Sequence, residues 1–556
     1  MNIIIFLGFY FLTYFIGRGF LLLLNRNKLA EPFDSKQIYG IGYDVFYSII
    51  ALFFIGNLLF LINFFIPLDE SFPLLILVCL ILIIANVRSR IKFVTLKYWI
   101  LKHLFLPIVI SISSYGSWLH FDSGAYHLNY QYWLKTSKIT FGLANLNFGY
   151  GFSSILEYLQ SILWIEDNFI FIFNINLLFY VFLFSFLCNA IFLSENFLKI
   201  SSVFLLIYGL LDNFGYQGGA NGFFQIQAIA KPDMPFGIIF IIISQLLIQK
   251  ILNEDFQAKD LKLFGYSILF LVQIKLLGLY IGLLVIYYLF KFYEKKKLSL
   301  ANIFNETKFV IFLSSLWLLK NFFLSGCLLF PLKLSCIRNV SWYVDGYISN
   351  YVNDTMVSQR AYFLGENISD WFSLYINKGF NLQILVNFIS SIFIILVIRK
   401  LVFRKNNKNR ISVFIMINFI FVLTWITSSP APRWGSHIFP FLIISLAINH
   451  DFKNEPKFYI FYQNFLLMIF VFTVGLLPRF YSYTSLLETR FEIYKVDLPS
   501  IEYINNSSNT GYIVDFSTYQ PQQCWVNKMC TLSDKKIIGG RIGIYDIYYA
   551  DGSKQW

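Results

Sequence analysis

Long apolar runs separated by short polar segments dominate the pattern of this chain. Because a helix needs about 20 apolar residues to cross a bilayer, the pattern predicts an all-α polytopic membrane protein with about fourteen transmembrane helices. The predicted spans are residues 3–24, 41–66, 72–87, 98–116, 168–193, 198–212, 234–250, 262–274, 276–292, 307–324, 381–400, 411–428, 434–449 and 457–477. The first run lacks a small-residue cleavage site, so we expect a retained span and not a signal peptide.

Basic residues concentrate in alternate loops, such as the run RKLVFRKNNKNR that begins at Arg399. Basic loops stay on the cytoplasmic side of a membrane, which predicts an outer N-terminus and outer loops at 117–167, 213–233 and 325–380. The alternation requires residues 261–292 to cross as a hairpin of two short helices that break near Lys275–Gly278. For Lys275 itself, the pattern favours a side chain that snorkels to the membrane interface.

Composition also points to a membrane protein. Of the 556 residues, 57% are hydrophobic and 13% are charged, whereas a soluble protein carries roughly a quarter charged residues. A net charge of +13 raises the question of nucleic-acid binding, but the basic residues lie in short loops between apolar runs, a pattern that orients membrane spans. We therefore expect a lipid bilayer, and no nucleic acid, as the partner of this surface.

The polar pattern divides the chain into three parts. Residues 1–97 form an N-terminal three-span segment, and residues 98–477 form a transmembrane core with the outer loops. The tail at 478–556 contains polar turns such as NNSSNTG and β-like runs such as GYIVDF. This composition predicts a small C-terminal domain of α+β or mostly β structure outside the membrane, on the same side as the loop at 118–150.

Two cysteine pairs, each close in sequence, fall in predicted outer segments. In an oxidising compartment each pair can form a disulfide, and neither pair has histidines at the spacing of metal ligands. Cys524 and Cys530 are expected to form a disulfide bond in the tail. For Cys327 and Cys336, a disulfide and a pair of free thiols are both open.

The loop at 118–150 gathers ionisable side chains in a chain that otherwise has few. Asp122 fits a general base that takes a proton from a hydroxyl, and it also fits the N-cap of a helix that starts there. His127, five residues further on, fits either a helper of that base or an interfacial histidine with satisfied hydrogen bonds. Ionisable groups at the mouth of a bilayer more often mark chemistry than packing.

Further polar groups fall on the same predicted side of the membrane. Lys231 and Asp233 precede a span, which fits a site or a helix-start carboxylate beside a snorkelling lysine. Arg433, in a turn stiffened by prolines, is the best candidate for binding phosphate because a guanidinium forks onto phosphate oxygens. Lys320, near the end of a span, is an additional cation. No ladder of ionisable residues runs through the predicted span centres, which argues against a transporter.

Together these features resemble the GT-C superfamily of polytopic glycosyltransferases. The resemblance rests on HFDSG, which contains Asp122, followed by a juxtamembrane helix and the stretch GLANLNFGYGFSSILEYLQSILW. A second acidic loop (KPDMP), a span that ends in KNFFLSG and the late turn PAPRWG add to it. The resemblance runs from about residue 98 to the C-terminus and includes the CW…C segment that begins at Cys524.

The resemblance implies a polyprenyl-phosphate-linked sugar as donor and a glycan, lipid or protein as acceptor, with transfer on the periplasmic face of a bacterial inner membrane. It implies that Asp122 is the loop aspartate, that Asp233 is a secondary acidic residue and that Arg433 contacts the donor phosphate. HFDSG lacks the adjacent acidic pair of metal-using members, so a divalent metal is open. The alternatives are an O-antigen-type polymerase or ligase, and a flippase or other transporter of lipid-linked oligosaccharide.

Overall fold

The computed structural model describes most of the chain, and α-helices make up most of what it describes. The described residues are 1–26, 37–38, 41–87, 96–119, 122–164, 168–194, 196–214, 228–229, 232–296, 300–343, 357, 362, 364–365, 368–378, 381–405, 411–428, 430–431, 435, 437–448, 450–452, 456–478, 480–489, 492–493, 495–496, 504–505, 512–513 and 537–550.

The helices follow one another with few strands between them. They are α1 (Asn2–Arg26), α2 (Tyr47–Asn63), α3 (Phe72–Val87), α4 (Leu96–Ile100), α5 (Leu106–Ser111), α6 (Leu128–Thr136), α7 (Ile155–Ser161), α8 (Phe173–Leu193), α9 (Asn196–Phe214), α10 (Asp233–Asn253), α11 (Ala258–Ile274), α12 (Gly282–Lys296), α13 (Leu300–Ser325), α14 (Trp371–Ile376), α15 (Asn381–Val402), α16 (Ile411–Ser428), α17 (Ile438–Ser445), α18 (Pro456–Leu476) and α19 (Phe480–Glu488). Two π-helical turns, at Leu101–Phe105 and Ser123–His127, interrupt this series.

The strands of the described residues are short and form two-stranded pairs. They are β1 (Gln37–Ile38), β2 (Ile41–Gly42), β3 (Trp118–Leu119), β4 (Ala228–Ile229), β5 (Phe403–Lys405), β6 (His450–Phe452), β7 (Ile504–Asn505), β8 (Tyr512–Ile513), β9 (Ile537–Ile542) and β10 (Tyr545–Ala550). The pairs β1–β2, β5–β6, β7–β8 and β9–β10 are antiparallel, and β3–β4 is parallel.

Seven helical stretches among the described residues are long and apolar enough to cross a membrane, and a bent pair would make eight. The seven are Asn2–Leu23, Leu68–Asn86, Phe169–Leu193, Asp233–Asn253, Leu276–Lys295, Ile303–Ser325 and Asn381–Val402. A helix also lies at each of the other predicted spans. The all-α membrane class is therefore confirmed, whereas the count of fourteen crossings stays a prediction.

The predicted break near Lys275 is confirmed. The helix α11 ends at Ile274, Lys275 is extended with φ −156° and ψ 135°, and a 3-10 helix at Leu276–Ile281 leads into α12. A Cβ atom on Gly278 would lie only 2.9 Å from the carbonyl carbon of Leu271. Because seven residues of straight helix cover about 10 Å, this contact requires the chain to fold back after α11.

Two helices lie at the centre of the bundle. In α8 and α10, 94% of the most apolar stretch is buried, compared with 17% in the α13 region and 22% in α15. Lipid is as apolar as the side chains it contacts, so helices in a membrane associate through close packing and polar contacts. Gly17 of α1 accordingly lies directly against the backbone of Tyr47. Asn57 of α2 exchanges hydrogen bonds of 2.9 and 3.2 Å with Gln273 of α11.

The loop at 122–164 and the tail hairpin β9–β10 pack together at one end of α2. The side chain of Asn63, the last residue of α2, donates a hydrogen bond of 2.9 Å to the carbonyl of Ser137. The backbone N–H of Tyr548 in the hairpin donates to the carbonyl of Phe141 in the loop, at 2.8 Å. Contact between loop and hairpin agrees with the prediction that the two lie on the same side of the membrane.

Of the two predicted cysteine pairs, Cys327 and Cys336 form a disulfide, so the free-thiol alternative is wrong. The bridge lies beyond the end of α13, where Phe330 and Tyr343 pack around it. Cys524 and Cys530 lie outside the described residues. Only parts of the tail are described, so its organisation as an α+β domain stays a prediction.

Candidate functional site

The parallel pair β3–β4 joins two of the predicted outer loops. Trp118 pairs with Ala228, and Leu119 pairs with Ile229. The carboxyl ends of parallel strands meet at the same edge. Asp122 follows the first strand by three residues, and Asp233 follows the second by four. Both aspartates therefore come shortly after the same edge of the strand pair.

Asp122 begins the π-helical turn Ser123–His127, which continues into α6. Asp122 stands at the N-cap position of that turn, as the capping alternative expected, but its side chain makes no capping hydrogen bond there. The carboxylate is partly exposed, whereas His127 is buried. Single π-helical turns occur frequently at functional sites, and this one carries both ionisable residues predicted for the loop.

His127 is held by Glu157, a residue that the sequence analysis missed. The imidazole Nδ1 lies 2.7 Å from Glu157 Oε1, with both side chains buried. The other carboxylate oxygen accepts the backbone N–H of Ser154 at 2.7 Å and completes the capping box of α7. A carboxylate only accepts hydrogen bonds, so Nδ1 carries the proton. Imidazole Nε2 is buried and has no hydrogen-bond partner among the described residues.

Lys320 of α13 lies near the His127–Glu157 pair, on the side of the membrane helices. It is fully buried, donates a hydrogen bond to Ser153 Oγ and lies 3.5 Å from the ring centroid of Trp317. Its charge also interacts with that of Glu157. The lysine predicted as a cation therefore belongs to the same cluster as the predicted imidazole, and its Nζ lies over the ring of Trp317.

Three buried tyrosines surround the cluster in the outer loop. Tyr150 donates a hydrogen bond to Asn129 Oδ1, and the Tyr130 hydroxyl interacts with Ser153 and Tyr158. Burial raises the pKa of Tyr130, Tyr150 and Tyr158 well above the usual range of a phenol. Burial therefore favours the protonated form of these hydroxyls, and that of Tyr150 donates to Asn129.

Asp233, the first residue of α10, forms an ion pair with Lys275 at the break after α11. The partner of Lys275 is thus a buried carboxylate, and the snorkelling of this lysine at the membrane interface stays a prediction. Phe236 and Phe240 contact the ring of His437 at centroid distances of 5.1 and 4.9 Å. His437 is buried, and neither of its ring nitrogens has a hydrogen-bond partner among the described residues. The charges of Asp233 and Lys275 both act on it.

Two of the predicted phosphate ligands, Lys231 and Arg433, lie outside the described residues. The described part of the chain holds no group of three or more His, Cys, Asp or Glu side chains placed to bind a metal. The divalent metal left open by the sequence therefore gains no ligand set from these residues.

A second ionic cluster lies at the opposite end of α2 from the outer loop. Asp44 Oδ2 accepts from Lys102 Nζ at 2.6 Å and lies 2.9 Å from His103 Nε2, and His103 Nδ1 lies 2.6 Å from the Tyr10 hydroxyl. The seventeen residues of α2 extend about 26 Å between Asp44 and Asn63. The structure therefore contains an ionic cluster, away from the outer loop, that the sequence analysis did not select, and the sidedness of the clusters selected there stays a prediction.

An apolar cavity of about 490 Å³ opens among α1, α2, α8, α10, α11 and α13. Its wall is mostly phenylalanine, leucine and isoleucine, including Phe309 and Leu313 of α13. Side chains three or four residues apart share one face of a helix. One face of α13 therefore connects this cavity to the buried lysine. Its residues, in order, are Phe309, Leu313, Trp317 and Lys320.

Comparison with known proteins identifies one family. The family described as Domain of unknown function (DUF8201) matches residues 1–440. This match covers more than half of the 556 residues, so the chain belongs to that family, and the match runs through the first three helices without interruption. No curated protein and no solved structure matches the chain.

Proposed function

We propose that this protein is a membrane glycosyltransferase of GT-C type. It transfers a sugar from a polyprenyl-phosphate donor to an envelope glycan, lipid or protein on the periplasmic face of a bacterial inner membrane. The observation that carries this proposal is the β3–β4 pair, which joins the Asp122 loop to the Asp233 loop. On the turn that follows β3, His127 has a nitrogen without a hydrogen-bond partner among the described residues, and the buried Lys320 belongs to the same cluster as this imidazole.

The proposed reaction needs a base and cations at one membrane face. The acceptor hydroxyl oxygen attacks the anomeric carbon, the bond from that carbon to the phosphate oxygen breaks, and the phosphate leaves with the electron pair. The hydroxyl proton passes to a base on the turn that holds Asp122 and His127. Cations stabilise the departing phosphate, and Lys320, Lys231 and Arg433 are the candidates for this role.

The apolar cavity supports a donor with a long hydrocarbon chain. It lies at the depth of the helices that cross the membrane, and the shared face of α13 connects it to Lys320. An isoprenoid chain lodged there would point its phosphate toward the outer cluster. Burial of apolar surface contributes about 25 cal/mol per Å², so such a chain would supply much of the donor affinity without contacting the reacting atoms.

Two alternatives use related substrates. A polymerase or ligase of O-antigen type would use the same donor at the same face. A transporter of lipid-linked oligosaccharide is favoured by one observation, the Asp44–Lys102–His103 cluster at the opposite end of α2, because ionisable residues inside a membrane often mark a transport path.

The proposal is tested by reconstituting the protein in liposomes with radiolabelled polyprenyl-phosphate sugars and envelope glycan, lipid and protein acceptors. We expect the label to move to one acceptor class. In the double variant Asp122→Asn/His127→Gln, transfer should fall by about 100-fold or more, the contribution of general base catalysis. Glu294→Gln, which alters an exposed ion pair with Lys291, should retain full transfer.

Two results would contradict the proposal. Undiminished transfer by the double variant would remove both candidate bases. Movement of an intact lipid-linked sugar between the bilayer leaflets, with no label on any acceptor, would identify a transporter instead.

A further inference from the structure

We propose that the base on the outer turn is His127, and that Glu157 is the positioning residue that fixes its protonation state. This inference rests on the proposed function and makes one part of it specific. The base is then not the partly exposed Asp122 but the imidazole of a buried His127–Glu157 pair. This pair joins the π-helical turn Ser123–His127 to the N-terminus of α7.

Both oxygens of Glu157 already have donors. Oε1 faces His127 Nδ1 at 2.7 Å, and Oε2 accepts the backbone N–H of Ser154 at 2.7 Å. The second bond belongs to the capping box of α7, so the carboxylate is fixed by the backbone and cannot rotate away. In its neutral form the imidazole is therefore held with its proton on Nδ1 and its lone pair on Nε2.

The free nitrogen is the observation that points to a ligand. Imidazole Nε2 of His127 is buried without a hydrogen-bond partner among the described residues. Burial of an unsatisfied acceptor is unfavourable, so this position favours a hydroxyl that can donate to it. The acceptor hydroxyl of the proposed transfer has this chemistry.

The neighbouring charges suit a base that becomes positive during the reaction. When Nε2 takes the hydroxyl proton, the new imidazolium keeps its Nδ1–H bond to the Glu157 carboxylate, which stabilises the charge. The side chain of Lys320, hydrogen-bonded to Ser153, is our candidate for binding the phosphate that leaves with its electron pair. One cluster thus contains a proton acceptor, its orienting carboxylate and a lysine.

The variant Glu157→Gln separates positioning from packing. A glutamine can satisfy the Ser154 N–H only with its oxygen, which turns its NH₂ group toward Nδ1. His127 must then accept at Nδ1 and carry its proton on Nε2. The shape of the side chain is almost unchanged, but the lone pair on Nε2 is lost.

The tautomer can be read by ¹⁵N solid-state NMR of histidine-labelled protein in liposomes. The chain has five histidines, and the His127 signal is assigned by its loss in His127→Gln. We expect an Nδ1–H tautomer in the wild type, an Nε2–H tautomer in Glu157→Gln, and a fall in transfer of about 100-fold or more in that variant. Ser154→Ala, which weakens the helix cap but keeps the backbone N–H, should leave the tautomer unchanged.

Several outcomes would overturn the inference. An Nε2–H tautomer in the wild type, or full transfer by Glu157→Gln, would remove the dyad. Loss of transfer in Asp122→Asn with normal transfer in Glu157→Gln would make Asp122 the base, and the proposed function would stand. Absence of transfer by the wild type would refute the proposed function itself, and with it this role for His127. If Glu157→Gln fails to fold, the wild-type tautomer still decides whether Nε2 is available.

Discussion

Asp44 is the carboxylate on which two basic side chains of the π-helical turn Leu101–Phe105 converge. Lys102 and His103 are consecutive, and the wide turn lets both reach one oxygen, at 2.6 and 2.9 Å. Both side chains are buried. The cluster links Asp44, in the 3-10 turn before α2, to the turn between α4 and α5.

Asp44→Asn should destabilise the protein strongly. Removing one partner of a buried ion pair leaves an uncompensated charge, which costs about 3–5 kcal/mol. We expect a loss of about 3 kcal/mol in the free energy of unfolding, measured by denaturant titration of the protein in detergent micelles. The double variant Asp44→Asn/Lys102→Met should recover most of this loss because no lone charge remains.

The exposed pair Lys291–Glu294 provides the control. Glu294→Gln should change the free energy of unfolding by less than about 1 kcal/mol, the range of surface ion pairs. A similar loss in Asp44→Asn and Glu294→Gln would show that the Asp44 cluster is not energetically special.

Single residues were predictable from the sequence where a charge stands out against apolar neighbours. His127, Asp233 and Lys320 were selected in this way, and the structure places His127 and Lys320 in one cluster. Their partners were not found because contact depends on the fold: Glu157 is 30 residues from His127, and Asp44 is 58 residues from Lys102. The capping pattern Ser154-x-x-Glu157 could have drawn attention to Glu157, but only as a helix start.

At the level of elements, hydrophobic runs located the helices well and their ends less well. The predicted span 41–66 contains α2 at Tyr47–Asn63, preceded by a 3-10 turn at Tyr43–Val45. The predicted span at 98–116 contains the π-helical turn Leu101–Phe105. The 3-10 turn and the π-helical turn both bring polar side chains into the helical bundle. The hydrophobic pattern cannot predict them because it contains no information on contacts between helices. The break at Lys275 was predictable because the alternation of loop charge required it.

Gly142→Ala should release the tail hairpin from the outer loop. Gly142 has φ +68°, which costs another residue about 1–2 kcal/mol, and a Cβ atom there would overlap the carbonyl oxygen of Tyr548. We expect faster hydrogen exchange in β9 and β10, measured by mass spectrometry of the protein in nanodiscs. The transmembrane helices should exchange as in the wild type.

Gly543→Ala is the matched control for that change. Gly543 lies in the turn of the same hairpin with φ +59°, but a Cβ atom there would have nothing within 4 Å. It should show local strain at the turn without loss of the contact to Phe141. Equal exchange in the two variants would mean that backbone strain alone, and not the contact with Tyr548, governs the docking of the hairpin.

At the scale of the whole molecule, three distant parts of the chain meet outside the helices. The β3–β4 pair connects the first two outer loops, and the tail hairpin hydrogen-bonds to Phe141 and contacts the end of α2 through Tyr545. Loop charge predicted that these parts share a side of the membrane. It could not predict which residues touch, because pairings between distant segments leave no periodic signal in the sequence.

The shared side can be tested with single cysteines and a membrane-impermeant maleimide. Leu334 is fully exposed next to the Cys327–Cys336 bridge, and Ile544 is exposed at the tip of the tail hairpin. Basic loops remain cytoplasmic, so Leu334→Cys and Ile544→Cys should react in intact cells with a permeable outer membrane. Lys295→Cys, at the basic end of α12, should react only after the inner membrane is opened.

This labelling tests two separate claims, the contact between the outer loop and the tail and the orientation of the protein in the membrane. Ile544 must lie on the same side as the outer loop because the hairpin is hydrogen-bonded to Phe141, so opposite labelling of Leu334→Cys and Ile544→Cys would contradict the arrangement of the loop and tail. Labelling of both only after opening the inner membrane would leave that arrangement intact and reverse the orientation. A periplasmic transfer reaction would then be impossible, because Asp122, His127 and Lys320 would face the cytoplasm.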